Sequence, residues 1–340
     1  MKPYLVDVPV KVDIWIRPEA QRRQFEVIKQ ARPSILFLIS DGGRNEKEWE
    51  AIYQNRKMFD EEIDWECTVY RLYKDENNGM YAMMQEKEKL IWEHVDRCMF
   101  LEDDYVPSVS FFRYCAELLE KYKDDERIMS ICGMNHEGVS ENVPDDYFFS
   151  QACSVWGMAT WKRTIDQRNW YRNHRILDDY TKSLLKDATK NCRVFWKQFL
   201  GYQRNEVLHG HPQGGEYWCG FDLFSQNRLV IVPKYNMINN IGCTTDAAHA
   251  HSIELLPRGI RRVFNMRTYE LEFPLKHPNY VMPDMRYKKR VDHIMGWVWY
   301  IKIFRAFESA FLALRYTGLS GFIKRTKKFF KRITGKTKEK

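Results

Sequence analysis

Three consecutive carboxylates, Glu102, Asp103 and Asp104, directly follow an apolar run at 97–101 that has the pattern of a buried strand. Three neighbouring negative charges in a half-buried place repel one another. A hard divalent cation such as Mg²⁺ or Mn²⁺ relieves this repulsion and can bridge to a diphosphate. The triplet therefore indicates a cation site, with a solvated loop that caps a helix as the ordinary alternative.

Two more polar side chains stand at the ends of predicted strands. Arg17 follows the β-branched run at 8–16, and Asp41 follows the continuously apolar run at 35–39. Ligands of open α/β sheets bind at the carboxyl ends of the strands, so Arg17, Asp41 and the acidic triplet are expected to converge. Two structural alternatives stay open, because Asp41 before two glycines can cap a turn and Arg17 can be a surface residue.

The elements that must position these residues alternate along the chain. The predicted strands are 8–16, 35–39, 67–73, 97–101, 127–133 and 229–232, and the predicted helices are 18–31, 46–59, 80–95, 108–122 and 178–200. Strand–helix units of this length predict an α/β fold with a mostly parallel, Rossmann-like sheet flanked by helices.

Composition excludes several classes of protein. Hydrophobic residues make up 44% and charged residues 29% of the 340 residues, which excludes a disordered chain, a collagen-like fibre and a disulfide-stapled miniprotein. The eight cysteines include no CxxC zinc or redox motif. Because the first 16 residues hold no apolar signal segment and no uninterrupted 18-residue apolar stretch occurs, a reduced, cytoplasmic setting is expected.

The net charge of +8 is carried entirely by residues 321–340, which hold nine basic residues and one acid. Phe322, Phe329, Phe330 and Ile333 fall on one helical face of this tail, with Lys and Arg around them. The pattern predicts a peripheral contact of residues 315–340 with an anionic membrane. A disordered solubilising tail is the alternative. Nucleic acid is not expected as a partner, because the rest of the chain has no basic excess.

Six segments together resemble GT-A-fold nucleotide-diphospho-sugar glycosyltransferases. They resemble chiefly a bacterial group of hemolytic-protein-like sugar transferases and, more distantly, inverting N-acetylglucosaminyltransferases. The segments occur in the family's order over about residues 8–255. They are the opening strand with Arg17, Ser40-Asp41-Gly42, Asn78-Gly79, 101–107 with Phe111-Phe112, 156–161, and 239–242 through Asp246 and His249.

The resemblance implies a role for each residue of the nucleotide half. Asp41 would accept a hydrogen bond from the base, with uracil expected, and Arg17 would lie beside the nucleotide. Glu102-Asp103-Asp104 matches the family's acidic metal motif, in which Asp103 reaches the ribose side and Asp104 binds the metal. Asn78-Gly79 would touch the donor sugar, although a simple turn explains the same residues.

The resemblance also implies residues of the acceptor half. His249 stands where such enzymes place a late metal or diphosphate contact. The catalytic base of the family precedes the proline of the next strand by 17 residues, and counting back from Pro233 gives Glu216. Glu216 departs from the family's Trp-Asp-Tyr-Gln pattern, and Asp222 is the nearby rival.

These features predict one catalytic domain at 1–260, with a nucleotide-sugar half at 1–134 and an acceptor half at 135–260, followed by an extension at 261–340. The expected activity is metal-dependent, inverting transfer of a sugar, from a UDP-sugar, to a saccharide or lipid-linked acceptor. It would serve bacterial surface polysaccharide synthesis at the inner face of the membrane. The alternatives are a sugar-nucleotide nucleotidyltransferase and a catalytically silent binding protein. Sugar, acceptor, linkage and oligomeric state stay open.

Overall fold

The apolar runs of the chain form the strands of an eight-stranded sheet. The computed structural model describes residues 1–152, 154–173, 178–188, 196–201, 215–243 and 253–333. The strands are β1 (Val6–Ile14), β2 (Pro33–Ser40), β3 (Thr68–Tyr73), β4 (Arg97–Leu101), β5 (Tyr105–Pro107), β6 (Ile128–Cys132), β7 (Tyr147–Ser150), β8 (Met158–Trp161), β9 (Leu229–Pro233) and β10 (Ile238–Asn240). All except β5 and β10, which pair with each other, belong to this sheet.

The sheet is mostly parallel. Its strand order is β3-β2-β1-β4-β8-β6-β9-β7. The first four strands run parallel, and β9 runs parallel to β6. Only β8, between β4 and β6, and β7, at the edge, run antiparallel to their neighbours. The predicted α/β class with a mostly parallel sheet flanked by helices is confirmed.

Helices cover this sheet. They are α1 (Pro18–Ala31), α2 (Glu46–Glu62), α3 (Gly79–His94), α4 (Ser110–Lys121), α5 (Lys162–Asn173), α6 (Asp179–Ala188), α7 (Gly215–Ser225), α8 (Arg258–Arg261), α9 (Met285–Met295) and α10 (Trp299–Ile333). Residues 196–201 are also helical. The helix α4 packs on β1, and the apolar side chains of α1 belong to the same core, in which Phe25, Val10 and Phe111 are all buried.

The segment after residue 260, predicted to be an extension, contributes to the main core. Val263, Leu275 and Ile294 belong to the cluster that contains β1 and α4. Glu270 accepts hydrogen bonds from the backbone N–H groups of Val109 and Ser110, at 3.0 and 2.7 Å, and so caps the start of α4. Among the described residues, the segment that follows the predicted boundary at 260/261 thus shares the core of the preceding domain.

The C-terminal helix α10 bends at Gly318, whose φ of 69° and ψ of −169° lie outside the helical region. Glycine tolerates this left-handed φ because it has no Cβ. In the part of the chain that the structure describes, no helix combines the length and hydropathy that crossing a membrane requires.

Candidate functional site

The carboxyl ends of β1 and β4 bring Arg17 next to the acidic triplet. Because these strands are parallel neighbours, the residues that follow them meet at one edge of the sheet. Nη1 of Arg17 donates to both carboxylate oxygens of Asp103, at 2.9 and 2.8 Å, and to Oδ2 of Asp104 at 3.3 Å. Glu102 is exposed, and its Oε2 accepts a 2.9 Å hydrogen bond from the Tyr105 hydroxyl.

Two buried glutamines of α1 hold this strand end in place. Nε2 of Gln24 donates to the carbonyl oxygens of Glu102 and Tyr105, at 2.6 and 2.7 Å. Gln21 donates to Gln24 and to the carbonyl of Asp13. Neither glutamine was predicted from the sequence as a site residue. The sequence feature that could have indicated them is that both lie on the apolar face of the predicted helix, where a polar side chain needs a buried partner.

The short β5–β10 ladder fixes Asp104 from the other side. The carbonyl of Asp104 accepts a 3.0 Å hydrogen bond from the backbone N–H of Ile241. A Cβ at Gly242 would lie only 1.7 Å from Oδ2 of Asp104. Only glycine therefore lets the backbone approach the carboxylate this closely without pushing it aside.

The electrostatics of the site favour binding of a cation. Burial raises the pKa of Asp103 to about 7 and that of Asp104 to about 6, although Arg17 acts to lower both. A single guanidinium serves the buried carboxylate of Asp103 and the half-buried one of Asp104, with Glu102 adding further negative charge. The ionised carboxylates therefore outnumber the guanidinium that pairs with them, and a divalent cation would compensate the excess negative charge.

Two buried oxygen atoms are suited to a hard cation. Oδ1 of Asp104 and Oδ1 of Asn239 have no hydrogen-bond partner among the described residues. The ladder register pairs Asn239 with Val106, and Asp104 lies in the turn that directly precedes β5. Carboxylate and amide oxygens are the ligands that Mg²⁺ and Mn²⁺ accept. Each of these two atoms is therefore a candidate ligand for such an ion.

The described residues do not by themselves form a metal centre. Within the described ranges, no group of three or more His, Cys, Asp or Glu side chains has the arrangement of a metal centre. His249, the predicted late metal contact, lies outside the described residues. The metal assignments of Asp104 and His249 stay predictions.

We expect the metal-free protein to lose stability as the pH rises from about 4 to about 7. The folded state keeps the protons of Asp103 and Asp104 up to pKa values of about 7 and 6, whereas the unfolded chain releases them near 3.8. Each unit of difference corresponds to about 1.4 kcal/mol. Urea unfolding in EDTA at several pH values measures this loss. The doubly substituted variant Asp103→Asn/Asp104→Asn should show a flatter profile, and an unchanged profile would contradict the assignment.

Asp41 follows β2 at the same edge and ties down the loop that precedes α3. Its Oδ1 accepts from the backbone N–H groups of Gly42 and Asn78, both at 2.9 Å. Its Oδ2 accepts from the N–H of Gly79 at 2.9 Å and from the Asn77 side chain at 3.3 Å. A carboxylate offers about four acceptor positions, and all four are occupied here. These contacts are those expected of an Asp that caps a turn. The predicted hydrogen bond from Asp41 to a base would require one of them to break.

The substitution Asp41→Ala should lower the free energy of unfolding by about 1–2 kcal/mol, because the backbone N–H groups of Asn78 and Gly79 at the start of α3 lose their acceptor. Urea denaturation measures the change. Asp75→Ala, which removes an exposed acid from the same loop, is the matched control and should leave stability within about 0.5 kcal/mol. Equal stability of the Asp41→Ala variant and the wild type would contradict the capping role.

A second charged cluster lies on β1 and α3 beside the triplet. Nζ of the buried Lys11 lies 2.5 Å from Oδ2 of Asp13, and Nζ of Lys87 lies 3.3 Å from Oδ1 of the same carboxylate. Burial lowers the pKa of Lys11, and Glu102 acts to raise the pKa of both lysines. This cluster was not predictable from the sequence, since an isolated lysine within a strand pattern carries no signal of its partners.

The remaining predicted residues fall in different surroundings. Trp161 is buried and its indole donates to the Leu119 carbonyl at 3.1 Å, so it belongs to the core. Trp156 is half-buried beside Tyr105, with ring centroids 6.3 Å apart, and lines the triplet's side of the fold. Glu216 lies at the start of α7, and its side chain lies outside the described part of the chain. Asp222 is 1% exposed and lies 3.9 Å from Arg228.

Neither a protein-family model nor a curated protein matches this chain. Among solved structures, it is similar to a mannosyltransferase from Pyrobaculum calidifontis in complex with GDP-Man and Mn²⁺, with 9% identity and a TM-score of 0.33. The match covers 48% of each chain, so this chain spans about half the length of that enzyme. It is also similar to a UDP-glucose pyrophosphorylase complexed with UDP-glucose, with 11% identity and a TM-score of 0.35, over 69% of this chain and 93% of that one.

A third similar structure is a glucosyl-3-phosphoglycerate synthase from Mycobacterium tuberculosis in complex with Mn²⁺, UDP and phosphoglyceric acid. Its identity is 11% and its TM-score 0.24, over 37% of this chain and 42% of that one. The similar structures are thus nucleotide-sugar glycosyltransferases and nucleotidyltransferases. At these identities and scores, the similarities assign no activity. None of them supports the resemblance to hemolytic-protein-like sugar transferases.

Proposed function

We propose that this chain is a metal-dependent glycosyltransferase that takes a sugar from a nucleotide diphosphate, with UDP as the expected carrier. The observation that carries the proposal is the position of Asp104. It lies at the carboxyl end of β4, it is held by Arg17 and Gly242, and it keeps one buried oxygen without a partner among the described residues. That oxygen is suited to a cation that accompanies a diphosphate.

The reaction would break the bond between the sugar's C1 and the diphosphate and form a bond from C1 to an acceptor oxygen. A divalent cation held by Asp104, with Asn239 and His249 as further candidate ligands, would stabilise the charge that develops on the diphosphate. Arg17 keeps Asp103 and Asp104 oriented and favours their ionised forms. Asp103 and Asp41, with Asn78 and Gly79, border the same sheet edge and would contact the nucleoside and sugar.

The acceptor would bind on the side of Trp156, whose half-buried ring lies beside Tyr105. Its hydroxyl proton would pass to Glu216 as the sugar transfers, a general-base contribution of about 10²–10⁴-fold in rate. Asp222, the rival base, is buried next to Arg228 and would have to leave that position to meet an acceptor. A single base and no covalent intermediate correspond to inversion at C1.

The connection between β1 and α1 favours sugar transfer over nucleotidyl transfer. Only Trp15, Ile16 and Arg17 separate the two elements, and Pro18 opens the helix. Glycine-rich phosphate loops depend on backbone N–H groups, and this connection has no glycine and a proline that lacks the N–H. Nucleotidyl transfer remains the second activity that the experiment below must separate.

The cellular setting of the proposal is bacterial surface polysaccharide synthesis, with a saccharide or lipid-linked acceptor. The enzyme would work in the cytoplasm at the inner face of the membrane. What supports this setting is the basic C-terminal sequence, whose nine Lys and Arg residues in 321–340 suit an anionic surface.

A thermal-shift panel of nucleoside diphosphates and nucleotide sugars, with and without Mn²⁺, identifies the donor, because a ligand that binds only the folded state raises its stability. The stabilising nucleotide sugar is then incubated with the protein in H₂¹⁸O. A glycosyltransferase releases nucleoside diphosphate and labelled free sugar. Formation of nucleoside triphosphate after addition of pyrophosphate instead identifies nucleotidyl transfer. A thermal shift without any product identifies a binding protein.

A further inference from the structure

Helix α10 turns a row of large apolar side chains toward solvent. Seven of them between residues 299 and 314 are each 44–71% exposed: Trp299, Tyr300, Ile303, Phe304, Phe307, Phe311 and Leu314. We call these seven residues the apolar face of α10. Their spacing of 0, 1, 4, 5, 8, 12 and 15 from Trp299 places them along one side of the helix.

The opposite side of the same helix packs on the protein. Leu312 and Ala313 are buried. Glu308 accepts a 2.8 Å hydrogen bond from the backbone N–H of Arg258, and the Arg305 guanidinium donates to the carbonyl oxygens at the end of α9. The helix is therefore attached to the globule in a fixed orientation, and the apolar face points away from it.

A helix on the surface of a globular protein normally turns charged and polar residues to water. The apolar face does the reverse, and contiguous exposed apolar surface of this kind marks an interaction site. Three of its members are phenylalanines and one is a tryptophan, side chains that are typical of helices lying at the boundary between lipid headgroups and acyl chains.

The charge of the sequence that follows the apolar face of α10 indicates which partner binds this face. Residues 309–338 contain no Asp or Glu, and nine Lys and Arg residues lie in 321–340. Helical backbone continues beyond Gly318 to Ile333, so the basic sequence directly follows the apolar face. An apolar surface flanked by uncompensated positive charge is complementary to a bilayer that contains anionic lipid.

We propose that the apolar face of α10 binds the surface of an anionic membrane and that the basic residues after it strengthen this contact. The helix lies along the membrane, since its other side is occupied by the protein. The apolar part of the contact thus precedes the predicted segment 315–340, and that segment supplies mainly charge. The proposal does not depend on the chemistry of the donor.

Co-sedimentation of the full-length protein with vesicles tests the proposal. We expect at least tenfold stronger binding to phosphatidylcholine vesicles with 30% phosphatidylglycerol than to pure phosphatidylcholine. The variant Phe304→Ser/Phe307→Ser/Phe311→Ser should lose at least tenfold in binding. The control Met80→Ser/Tyr280→Ser/Met282→Ser, which removes equally exposed apolar residues outside α10, should bind like the wild type.

A second variant addresses the charge. Lys324→Gln/Lys327→Gln/Lys328→Gln should weaken binding to the anionic vesicles by at least tenfold and leave binding to pure phosphatidylcholine unchanged. Unaltered vesicle binding of the phenylalanine variant would overturn the proposal. Sedimentation velocity tests whether a second copy of the chain covers the apolar face of α10 instead. A dimeric wild type and a monomeric phenylalanine variant that bind vesicles equally would also overturn the proposal.

Discussion

The variant Asp104→Asn should cleave the donor about 10²–10³-fold more slowly than the wild type in the presence of Mn²⁺. Asparagine keeps the size of the side chain but removes the negative charge and one strong cation ligand. The fold should persist, because the carbonyl contact of Asp104 to Ile241 uses only backbone atoms. Release of nucleoside diphosphate at saturating donor measures the rate, and thermal unfolding reports on the fold.

Two further variants show whether the position of this carboxylate matters. Gly242→Ala keeps Asp104 but places a methyl group against its Oδ2, and a displacement of about 1 Å can cost about 10²-fold in rate. Gly201→Ala, where a Cβ meets none of the described residues within 4 Å, is the matched control and should be active. An Asp104→Asn variant with more than half of the wild-type rate would exclude Asp104 from the reaction.

The variant Arg17→Met should lower the free energy of unfolding by about 3–5 kcal/mol at pH 8, because the buried Asp103 and the half-buried Asp104 lose the cation that they share. Activity should fall as well, since Asp103 and Asp104 then repel each other and lose their orientation. Urea unfolding in EDTA measures the stability. Arg17→Lys, which keeps the positive charge, should retain most of it.

A double-mutant cycle separates the ion pair from other effects of removing the side chain. The variant Arg17→Met/Asp103→Asn should be more stable than Arg17→Met alone, because the uncompensated charge of Asp103 is gone. If the two variants are equally unstable, Arg17 stabilises the protein through its packing, and the shared ion pair contributes little.

The main strands of the fold were predictable because each of them corresponds to a distinct apolar run in the sequence. The continuously apolar run that forms β2 is buried on both faces, and the alternation with helices predicted a mostly parallel sheet. The ladder of β5 and β10 was missed, since three residues per strand are too few to show a period. This ladder positions Asp104, so the precise environment of the site was not predictable.

The sequence predicted which strand ends form the site, but it did not predict the hydrogen-bond partners of the site residues. Arg17 and the acidic triplet meet because parallel strands end at the same edge, which is a property of the sheet. The hydrogen bonds of Asp41 reach residues 36–38 positions away in the chain, and no local pattern encodes them. Gln24 and Lys87 contribute in the same way, through contacts that appear only when the helices pack on the sheet.

Titration of the full-length protein with Mn²⁺ in the presence of UDP, followed by the electron paramagnetic resonance signal of free Mn²⁺, tests the central claim most directly. The claim is that the ends of β1 and β4 form a site for a divalent cation and a nucleoside diphosphate around Asp104. We predict a protein-dependent loss of the free Mn²⁺ signal beyond that caused by UDP alone, abolished in Asp104→Asn and kept in Asp75→Asn. Equal Mn²⁺ binding by the wild type and Asp104→Asn, or none by either, would contradict the claim.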